Sequence, residues 1–311
     1  MIGTINKKQE KERRVSQARR NEEKWFFIFI SPWLIGFLIF TLGPMIASIY
    51  FSLTNWDLFS LPKFIGFANY VRLFTKDKIF LKTIYNTFYY AIIAVPLNIA
   101  ISLGLAYLLN HELKGMRIYR TIFYLPAVVP IVASSMVFIW LLAPDTGLIN
   151  RFLALFGIDG PAWLLDPQWV KMSFVFMELW AVGISMLLLL SAMKGTPIEM
   201  YESAAIDGAN KIQQFFNITM PMITPVIFFN LVMGIIRCLQ AFSQIYIMTK
   251  GGPNNASNMM VPYLFDNAFN FYRMGYASSI AWVLFVIIIL ITLIVLKSSS
   301  VWVYYESEVK R

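Results

Sequence analysis

Six long apolar runs constrain the fold of this chain more than any other feature of its sequence. They cover roughly residues 25–51, 84–109, 118–142, 172–193, 224–248 and 279–296. Each run approaches the length of about 20 residues that an α-helix needs to cross the hydrocarbon core of a bilayer. Hydrophobic residues make up 58% of the 311 residues and charged residues only 14%, which excludes a soluble enzyme and a disordered chain. We predict an all-α, polytopic membrane protein with six transmembrane helices.

The distribution of basic residues predicts the direction in which the helices cross the membrane. Most of the 26 Lys and Arg residues lie in segment 1–24, around the loops 110–117 and 194–223, and after the last run. Because basic loops stay in the cytoplasm, we predict that both termini are cytoplasmic. The predicted organisation is an N-terminal tail at 1–24, a transmembrane domain at 25–297 with a cytoplasmic loop at 194–223, and a C-terminal tail at 298–311.

The residue types that most chemistry requires are scarce in this sequence. One His and one Cys leave no pair of side chains for an HExxH zinc site or for an intramolecular disulfide. The sequence has no Gly-Lys dipeptide and therefore no Walker-type phosphate-binding loop. We predict no catalytic residue, no metal site and no cofactor in this chain, so any ATP must be bound by another chain. The net charge of +9 is assigned to cytoplasmic loops rather than to contacts with nucleic acid.

The predicted cytoplasmic loop at 194–223 contains a helix with clear start signals. Thr196 stands before Pro197 and three residues before Glu199, which predicts a capping box with proline at the first helical position. We predict one helix over 196–216, with Gly208 explained by a bend or by the close approach of another backbone. Two interpretations stay open from the residues alone: an amphipathic linker on the membrane surface, or a helix that inserts into a groove of a partner protein.

A motif in this loop favours the second interpretation. The residues Tyr-Glu-Ser-Ala-Ala-Ile-Asp-Gly-Ala at 201–209, followed by Phe215 and by Ile-Thr-Met-Pro at 218–221, resemble the EAA motif of binding-protein-dependent ABC importer permeases. Two positions depart from the pattern, because Ser203 replaces the first Ala and Met220 replaces the usual Leu. The resemblance implies that a cytoplasmic ATPase docks on Tyr201, Glu202, Ser203, Ala204, Asp207, Gly208 and Ala209.

The resemblance covers nearly the whole chain and points to carbohydrate permeases of the maltose and multiple-sugar type. Further similar elements are Pro32, Pro44, Gly-Phe-Ala-Asn-Tyr at 66–70, Asn-Thr at 86–87, Tyr-Leu-Pro at 124–126 and Gly-Tyr-Ala at 275–277. It implies the type I ABC importer permease fold in a bacterial-type plasma (inner) membrane. The implied partners are a second, similar permease subunit, a cytoplasmic ATPase dimer that binds ATP and Mg²⁺, an extracytoplasmic solute-binding protein and membrane lipid.

Polar side chains inside the predicted membrane helices are candidates for a translocation path, because such side chains are costly in lipid. The fifth run carries Asn230, Arg237 and Gln244 at intervals of seven residues, and Gln240 lies three residues from Arg237. This spacing predicts one polar stripe that faces the bundle interior or a water-filled path. For each residue alone, a role in packing between helices or subunits is the stronger interpretation, whereas the stripe as a whole favours a path.

The fourth run adds two separate candidates for the path. Glu178 is a candidate ion-pair partner for Arg237, and Trp180 offers a stacking surface to a sugar ring. Because they are two positions apart, we expect their side chains to point to different sides of the helix.

The predicted function is that of one transmembrane subunit of an ATP-driven, binding-protein-dependent importer for a sugar or oligosaccharide. The chain would form half of the translocation path and perform no covalent chemistry. One alternative is an importer of another solute such as glycerol-3-phosphate, although only Arg237 supplies a basic group in the path. An ion-coupled secondary transporter is a second alternative, but it leaves the EAA-like loop unexplained. An intramembrane enzyme would need a catalytic set that the sequence does not show.

Overall fold

The computed structural model describes residues 22, 24–111 and 114–304 of the chain. Four helical units are long and apolar enough to cross a membrane without a sharp break, and two bent pairs of helices meet the same criteria as single crossings. Counting each pair once, the described residues contain the six predicted crossings. In chain order, span 1 to span 6 are Lys24–Ser52, Lys78–Leu109, Met116–Val128 with Ile131–Leu141, Val170–Trp180 with Gly183–Lys194, Lys211–Met248, and Met274–Trp302.

Short elements connect or interrupt these spans. A two-stranded antiparallel hairpin follows span 1, with Thr54–Asn55 as β1 and Lys63–Phe64 as β2, and Thr54 pairs with Phe64. Span 1 contains a π-helical turn at Leu38–Leu42, and span 5 contains the segments Lys211–Gln214, Phe215–Thr219, Met220–Leu239 and Ser243–Met248. The remaining helices are Ala68–Thr75, Leu148–Ala154, Ile198–Ile206 and Met260–Phe265, with a π-helical turn at Asp266–Asn270.

The ends of two spans differ from the predicted boundaries. Span 2 begins well before residue 84, because the Asp77 side chain caps it by accepting the backbone N–H of Phe80 at 2.9 Å. Span 6 continues to Trp302, past the predicted start of the tail at 298. In this extension the serine hydroxyls, such as that of Ser298, donate to carbonyls of the preceding turn. The predicted tails otherwise lie outside the described residues, apart from positions 22 and 24 and from 303–304.

Spans 3 and 4 are broken, although the apolar runs predicted continuous helices. The two halves of span 3 meet at 97° and those of span 4 at 45°. In span 3 the break follows from Pro130, because the residue before a proline, here Val129 at ψ 129°, is driven out of the helical region. Gly183 begins the second half of span 4 and passes so close to span 3 that an added Cβ would meet the backbone of Phe123 and Tyr124.

Span 2 lies at the centre of the bundle, where it packs against both halves of span 4 and against span 5. The main core forms around Tyr90, Phe174, Leu239, Ile245 and Met260, all with 1% or less of their surface exposed. A smaller apolar core joins Ala106, Leu109, Met186, Leu189, Leu190, Met193 and Ile223 at the end of the bundle where spans 4 and 5 connect. We call this end the loop-helix end, after the helix Ile198–Ile206, and the opposite end the anchored end.

The anchored end takes its name from residues 249–259, a loop that side chains of span 2 hold in place. Asn86 donates from Nδ2 to the carbonyls of Asn255 (2.9 Å) and Asn258 (2.8 Å). Lys82 donates to the carbonyl of Asn254 at 2.6 Å. Nearby, the Asp77 carboxylate accepts the hydroxyls of Tyr263 (2.6 Å) and Tyr276 (2.5 Å).

Candidate functional site

The segment between spans 4 and 5 folds as two short helices joined by a tight turn. The first, the loop helix, covers Ile198–Ile206, and the second covers Lys211–Gln214 at the start of span 5. Between them Gly208 has a φ of +83°, a left-handed conformation that glycine adopts without steric cost. The backbone N–H of Ala209 donates to the carbonyl of Ala204 at 2.9 Å, so the turn satisfies one of the last carbonyls of the loop helix.

A complete capping box starts the second helix. The Asn210 side chain accepts the backbone N–H of Gln213 at 2.9 Å, and the Gln213 side chain accepts the backbone N–H of Asn210 at 2.8 Å. Each side chain satisfies a donor that the helix start would leave free. The geometry of the turn is therefore fixed by the chain itself.

Two predictions for this segment are wrong. The predicted capping box of Thr196 and Glu199 does not form, because the loop helix begins at Ile198 after Pro197, and the Thr196 hydroxyl is buried without a hydrogen-bond partner. The single helix predicted through residue 216 is interrupted at Gly208. The bend at Gly208 is confirmed as the reason for a glycine there, since nothing lies within 4 Å of the position that a Cβ would occupy.

The residues that the EAA resemblance assigns to docking lie at or near the surface of this segment. Glu202, Ser203, Asp207 and Gly208 are exposed, whereas Tyr201, Ala204 and Ala209 are half-buried. The Tyr201 hydroxyl bonds with Thr219 Oγ1 at 2.9 Å, which ties the loop helix to span 5. Beside it lies an open cavity of about 490 Å³, lined in part by Tyr107, Tyr201, Glu202, Lys211 and Phe215.

Large apolar side chains also point to solvent from this segment. The exposed fraction is 65% for Ile198, 87% for Ile206 and 69% for Ile212. An exposed apolar patch rimmed by polar residues is typical of a surface that another protein covers. The segment thus combines a rigid turn, exposed carboxylates and uncovered isoleucines.

A second cavity, of about 240 Å³, borders spans 2 to 5 near their middle. In it, Arg237 Nη2 lies 2.7 Å from Glu178 Oε1, which confirms the predicted pairing of these side chains. The other carboxylate oxygen of Glu178 lies 3.4 Å from the Tyr90 hydroxyl. The Arg237 side chain is 53% exposed and that of Glu178 only 16%, so the pair presents mainly its guanidinium to the open space.

The cavity lies where three helices are interrupted. Val129 at the break of span 3 and Ala181 at the break of span 4 both line it. Arg237 and Gln244 line it from the two sides of the break in span 5, which falls between Leu239 and Ser243. Irregular backbone at membrane depth is tolerated where it borders a cavity, and discontinuous helices mark substrate sites in many membrane transporters.

Glu178 and Trp180 both line this cavity, although they are two positions apart in the helix Val170–Trp180. The expectation that only one of them borders the path therefore does not hold for the cavity lining, and their side-chain directions stay a prediction. The Trp180 ring contacts Phe138 of span 3 edge-on, with 5.6 Å between ring centroids. Its exposed fraction of 38% leaves part of the indole accessible from the cavity.

The predicted polar stripe on span 5 lies in two different surroundings. Asn230 is 7% exposed and donates to the carbonyl of Val226 on its own helix at 2.9 Å. It lies about 10 Å along the helix from Arg237, in the region where Gly234 packs against Val95 of span 2. Gln240 follows the last helical residue before the break and is exposed, but it does not line the cavity. Only Arg237 and Gln244 of the stripe share it.

Two polar residues of the cavity, Tyr90 and Ser134, were not predicted from the sequence. Tyr90 belongs to a series on span 2 in which every fourth residue faces inward, and its polar members Asn86, Tyr90, Asn98 and Ser102 are all at most 4% exposed. That four-residue spacing was a usable signal for one buried polar face. Ser134 stands next to Ser135 in an otherwise apolar helix, in the second half of the bent span 3.

Comparison with protein families covers the loop segment and most of the cavity residues. The sequence profile of the family described as "Binding-protein-dependent transport system inner membrane component" matches residues 98–304. This range includes the loop helix, the Glu178–Arg237 pair and span 6. It leaves out span 1 and the first part of span 2.

Individual relatives and a solved structure match almost the full length. The "Probable ABC transporter permease protein YesP" of Bacillus subtilis is 42% identical over 296 residues, or 94% of this chain and 96% of that protein. The "Trehalose/maltose transport system permease protein MalF" of Thermococcus litoralis is 30% identical over 285 residues, covering 91% and 96%. A chain in the crystal structure of a bacterial ABC transporter involved in the import of the acidic polysaccharide alginate matches with a TM-score of 0.79 and 26% identity, covering 90% and 96%.

Proposed function

This chain belongs to the family of binding-protein-dependent transport system inner membrane components, and from that premise we propose that it is one permease subunit of an ATP-driven importer for sugars or oligosaccharides. It forms half of the translocation path and pairs with a second, similar permease subunit. A separate ATPase dimer binds ATP and Mg²⁺, and an extracytoplasmic binding protein delivers the solute. The observation that carries this proposal is the exposed loop segment on a chain that otherwise packs as a membrane bundle.

The loop segment docks the ATPase. Its turn at Gly208 is fixed by the Asn210 capping box, and the Tyr201–Thr219 bond connects the loop helix to span 5. A force applied to the loop helix is therefore passed to span 5 through backbone and side-chain contacts. Rigid-body motion of packed helices is a common way to convert such a force into opening or closing of a site.

The orientation follows from the same assignment. The loop-helix end faces the cytoplasm, where the ATPase is, and the anchored end faces the binding protein. The N-terminal tail, whose basic residues favour the cytoplasm, and the end of span 6 lie on the cytoplasmic side. Both termini are thus cytoplasmic, in a bacterial-type plasma (inner) membrane.

The cavity around Glu178 and Arg237 lines the path. Each side chain of the pair has hydrogen-bonding capacity beyond the bond they share, because a guanidinium has five N–H donors and a carboxylate two acceptor oxygens. Sugar hydroxyls both donate and accept, so a neutral pair of opposite charges fits them. Trp180 adds an aromatic surface, and the names of the maltose and alginate relatives support a carbohydrate as the solute.

Transport by purified, reconstituted protein tests this function. The tagged chain, purified from its own membrane with its partners, is placed in vesicles and supplied with labelled oligosaccharides, its binding protein and ATP. We expect uptake that requires ATP and stops when the ATPase is absent. Uptake by the chain alone, without ATP, would show a secondary transporter instead.

A substitution in the cavity tests the path. Trp180→Ala removes the aromatic surface, and we expect the concentration for half-maximal uptake to rise about tenfold while the ATPase still co-purifies. Trp180→Phe keeps a ring of similar position and is the matched variant, which should retain most of the uptake. Unchanged uptake in Trp180→Ala would remove Trp180 from the path and leave its contact with Phe138 as its role.

A further inference from the structure

A basic cleft at the loop-helix end is not used by either proposed site. It has a volume of about 520 Å³ and lies between the loop before span 3 and the last residue of span 4. Its lining residues are His111, Lys114, Gly115, Met116, Arg117, Arg120 and Lys194. Four of these seven carry a positive charge and none is acidic, and none of the four forms a salt bridge with a carboxylate of the described residues.

Arg120 forms a fixed part of the cleft. Its Nη2 donates to the carbonyl of Leu109, the last helical residue of span 2, at 2.7 Å. Its Nε is buried and has no hydrogen-bond partner. The guanidinium is therefore held in place by the bond from Nη2, and a planar guanidinium binds phosphate oxygens in a defined geometry.

The start of span 3 adds backbone donors to the same cleft. The helix Met116–Val128 begins directly after Gly115, whose φ is +89°, and no side chain caps it. The first N–H groups of an uncapped helix attract anions, as does the positive end of the helix dipole. Gly115, Met116 and Arg117 all line the cleft, so these groups add to the four positive side chains.

Apolar side chains follow the cleft along span 3. Ile118, Tyr119 and Ile122 are 65%, 55% and 55% exposed, which fits a helix face in contact with hydrocarbon. The cleft therefore lies at the boundary between a lipid-facing surface and polar loops. A ligand with a phosphate group and acyl chains matches both parts, whereas a soluble anion would use only the basic part.

We propose that this cleft binds the phosphate headgroup of an anionic phospholipid, with an acyl chain along the exposed face of span 3. Basic pockets between membrane helices on the cytoplasmic side are suited to anionic headgroups. The inference rests on the proposed orientation for its choice of the cytoplasmic leaflet. It does not depend on ATPase docking, so lipid binding and co-purification of the ATPase fail or succeed independently.

Lipid binding to the purified full chain with its partners tests the proposal. Native mass spectrometry measures the affinity for phosphatidylglycerol, with phosphatidylcholine as the neutral comparison and inorganic phosphate as the soluble one. The double variant Lys114→Gln/Arg117→Gln removes two charges from the cleft, and we expect about 30-fold weaker phosphatidylglycerol binding, since each basic group contributes roughly a factor of five. The matched double variant Lys24→Gln/Lys297→Gln removes two exposed charges at the same end but outside the cleft, and should bind as the unchanged chain does.

Three outcomes would overturn the proposal. The first is equal weakening in both double variants, which would show only a general charge effect. The second is binding of inorganic phosphate at the same concentrations as phosphatidylglycerol, which would show that the cleft binds a free anion. The third is unchanged lipid binding combined with loss of the ATPase from the Lys114→Gln/Arg117→Gln variant, which would make the cleft a protein contact. If that variant melts early even in phosphatidylcholine, Lys194→Gln on the opposite wall replaces it, with an expected loss of about fivefold.

Discussion

At the anchored end of the bundle, residues 256–259 are buried under hydrogen bonds from span 2, whereas at the loop-helix end the isoleucines and carboxylates of the loop helix are open to solvent. The polar groups of the anchored loop find partners such as Lys82 and Asn86 within the chain. Those of the loop helix find few beyond their own segment. The difference teaches that the chain alone determines the shape of one end, while the other end presents a preformed surface that a partner completes.

The largest effect on stability is expected at the anchored end. Asn86 is 1% exposed and donates to two carbonyls of the anchored loop. Asn86→Ala leaves both carbonyls unsatisfied, so we expect the free energy of unfolding to fall by about 2–4 kcal/mol. Denaturant unfolding in detergent measures it. At the loop-helix end, Asn210→Ala should lower the free energy of unfolding by no more than about 1 kcal/mol. Equal losses for the two variants would contradict the difference between the two ends.

The ion pair in the cavity between the two ends should show an intermediate, asymmetric effect. Arg237→Met leaves the less exposed partner, Glu178, without a countercharge, so we expect a loss of about 2 kcal/mol. Glu178→Gln leaves Arg237, which is 53% exposed, and should cost about 1 kcal/mol, because solvent in the cavity screens its charge. A double-mutant cycle by thermal unfolding measures the coupling. If the losses of the two single variants simply add up in the double variant, the ion pair contributes nothing to stability.

The exposed isoleucine at the end of the loop helix should matter for partner binding and not for stability. Ile206→Ser changes a side chain that is 87% exposed, so the unfolding midpoint should stay within experimental error. Association with the ATPase should weaken about tenfold, because an interface loses a buried apolar side chain. Leu155→Ser, 80% exposed at the anchored end, is the matched variant and should leave ATPase association unchanged.

The smallest effect is a pH dependence at the anchored end. Burial alone would raise the pKa of Asp77, but hydrogen bonds from Tyr263, Tyr276 and the backbone N–H groups of Phe80 and Ile79 outweigh it and lower that pKa. A lowered pKa in the folded state gives a contribution to stability that is present above about pH 3.9, the unfolded value. This contribution is lost as the pH falls through the folded pKa.

Thermal midpoints between pH 3 and pH 7 measure this contribution. The difference between the unchanged chain and Asp77→Asn should be constant at the upper end of this range and shrink toward pH 3. Tyr263→Phe removes one hydrogen-bond donor to the Asp77 carboxylate and should make the thermal midpoint depend less on pH. Tyr272→Phe, an exposed tyrosine at the same end, should leave it unchanged. A difference that grows on acidification would contradict the assigned sign.

The fold could be predicted from the sequence because the cost of exposing polar backbone in lipid leaves only helices for the apolar runs. The break in span 3 was readable from Pro130, which follows Val129, whereas hydropathy alone gave no signal for the breaks in spans 4 and 5. The Glu178–Arg237 pair was predictable, because a charge inside the membrane needs a countercharge. That this pair and Trp180 line one cavity was not predictable. That cavity exists only where the breaks of three spans meet.

The loop segment was likewise predictable only in part. Its motif was readable in the sequence, and the Asn210–Gln213 capping box follows the same spacing rule that was applied to Thr196 and Glu199. The two boxes belong to different helices, and only the first was predicted. The Thr196 box does not form because the loop helix begins at Ile198 after Pro197, where Thr196 is buried.

The most direct test of the central claim is co-purification of an ATPase with the Gly208→Arg variant. Gly208 has a positive φ and open space around it, and Gly157 at the anchored end has the same two properties. Gly157→Arg therefore carries similar backbone strain without touching the loop segment. We predict that the ATPase is lost from Gly208→Arg and retained by Gly157→Arg, with similar thermal midpoints for the two chains. Retention of the ATPase by both variants would contradict docking through the loop helix.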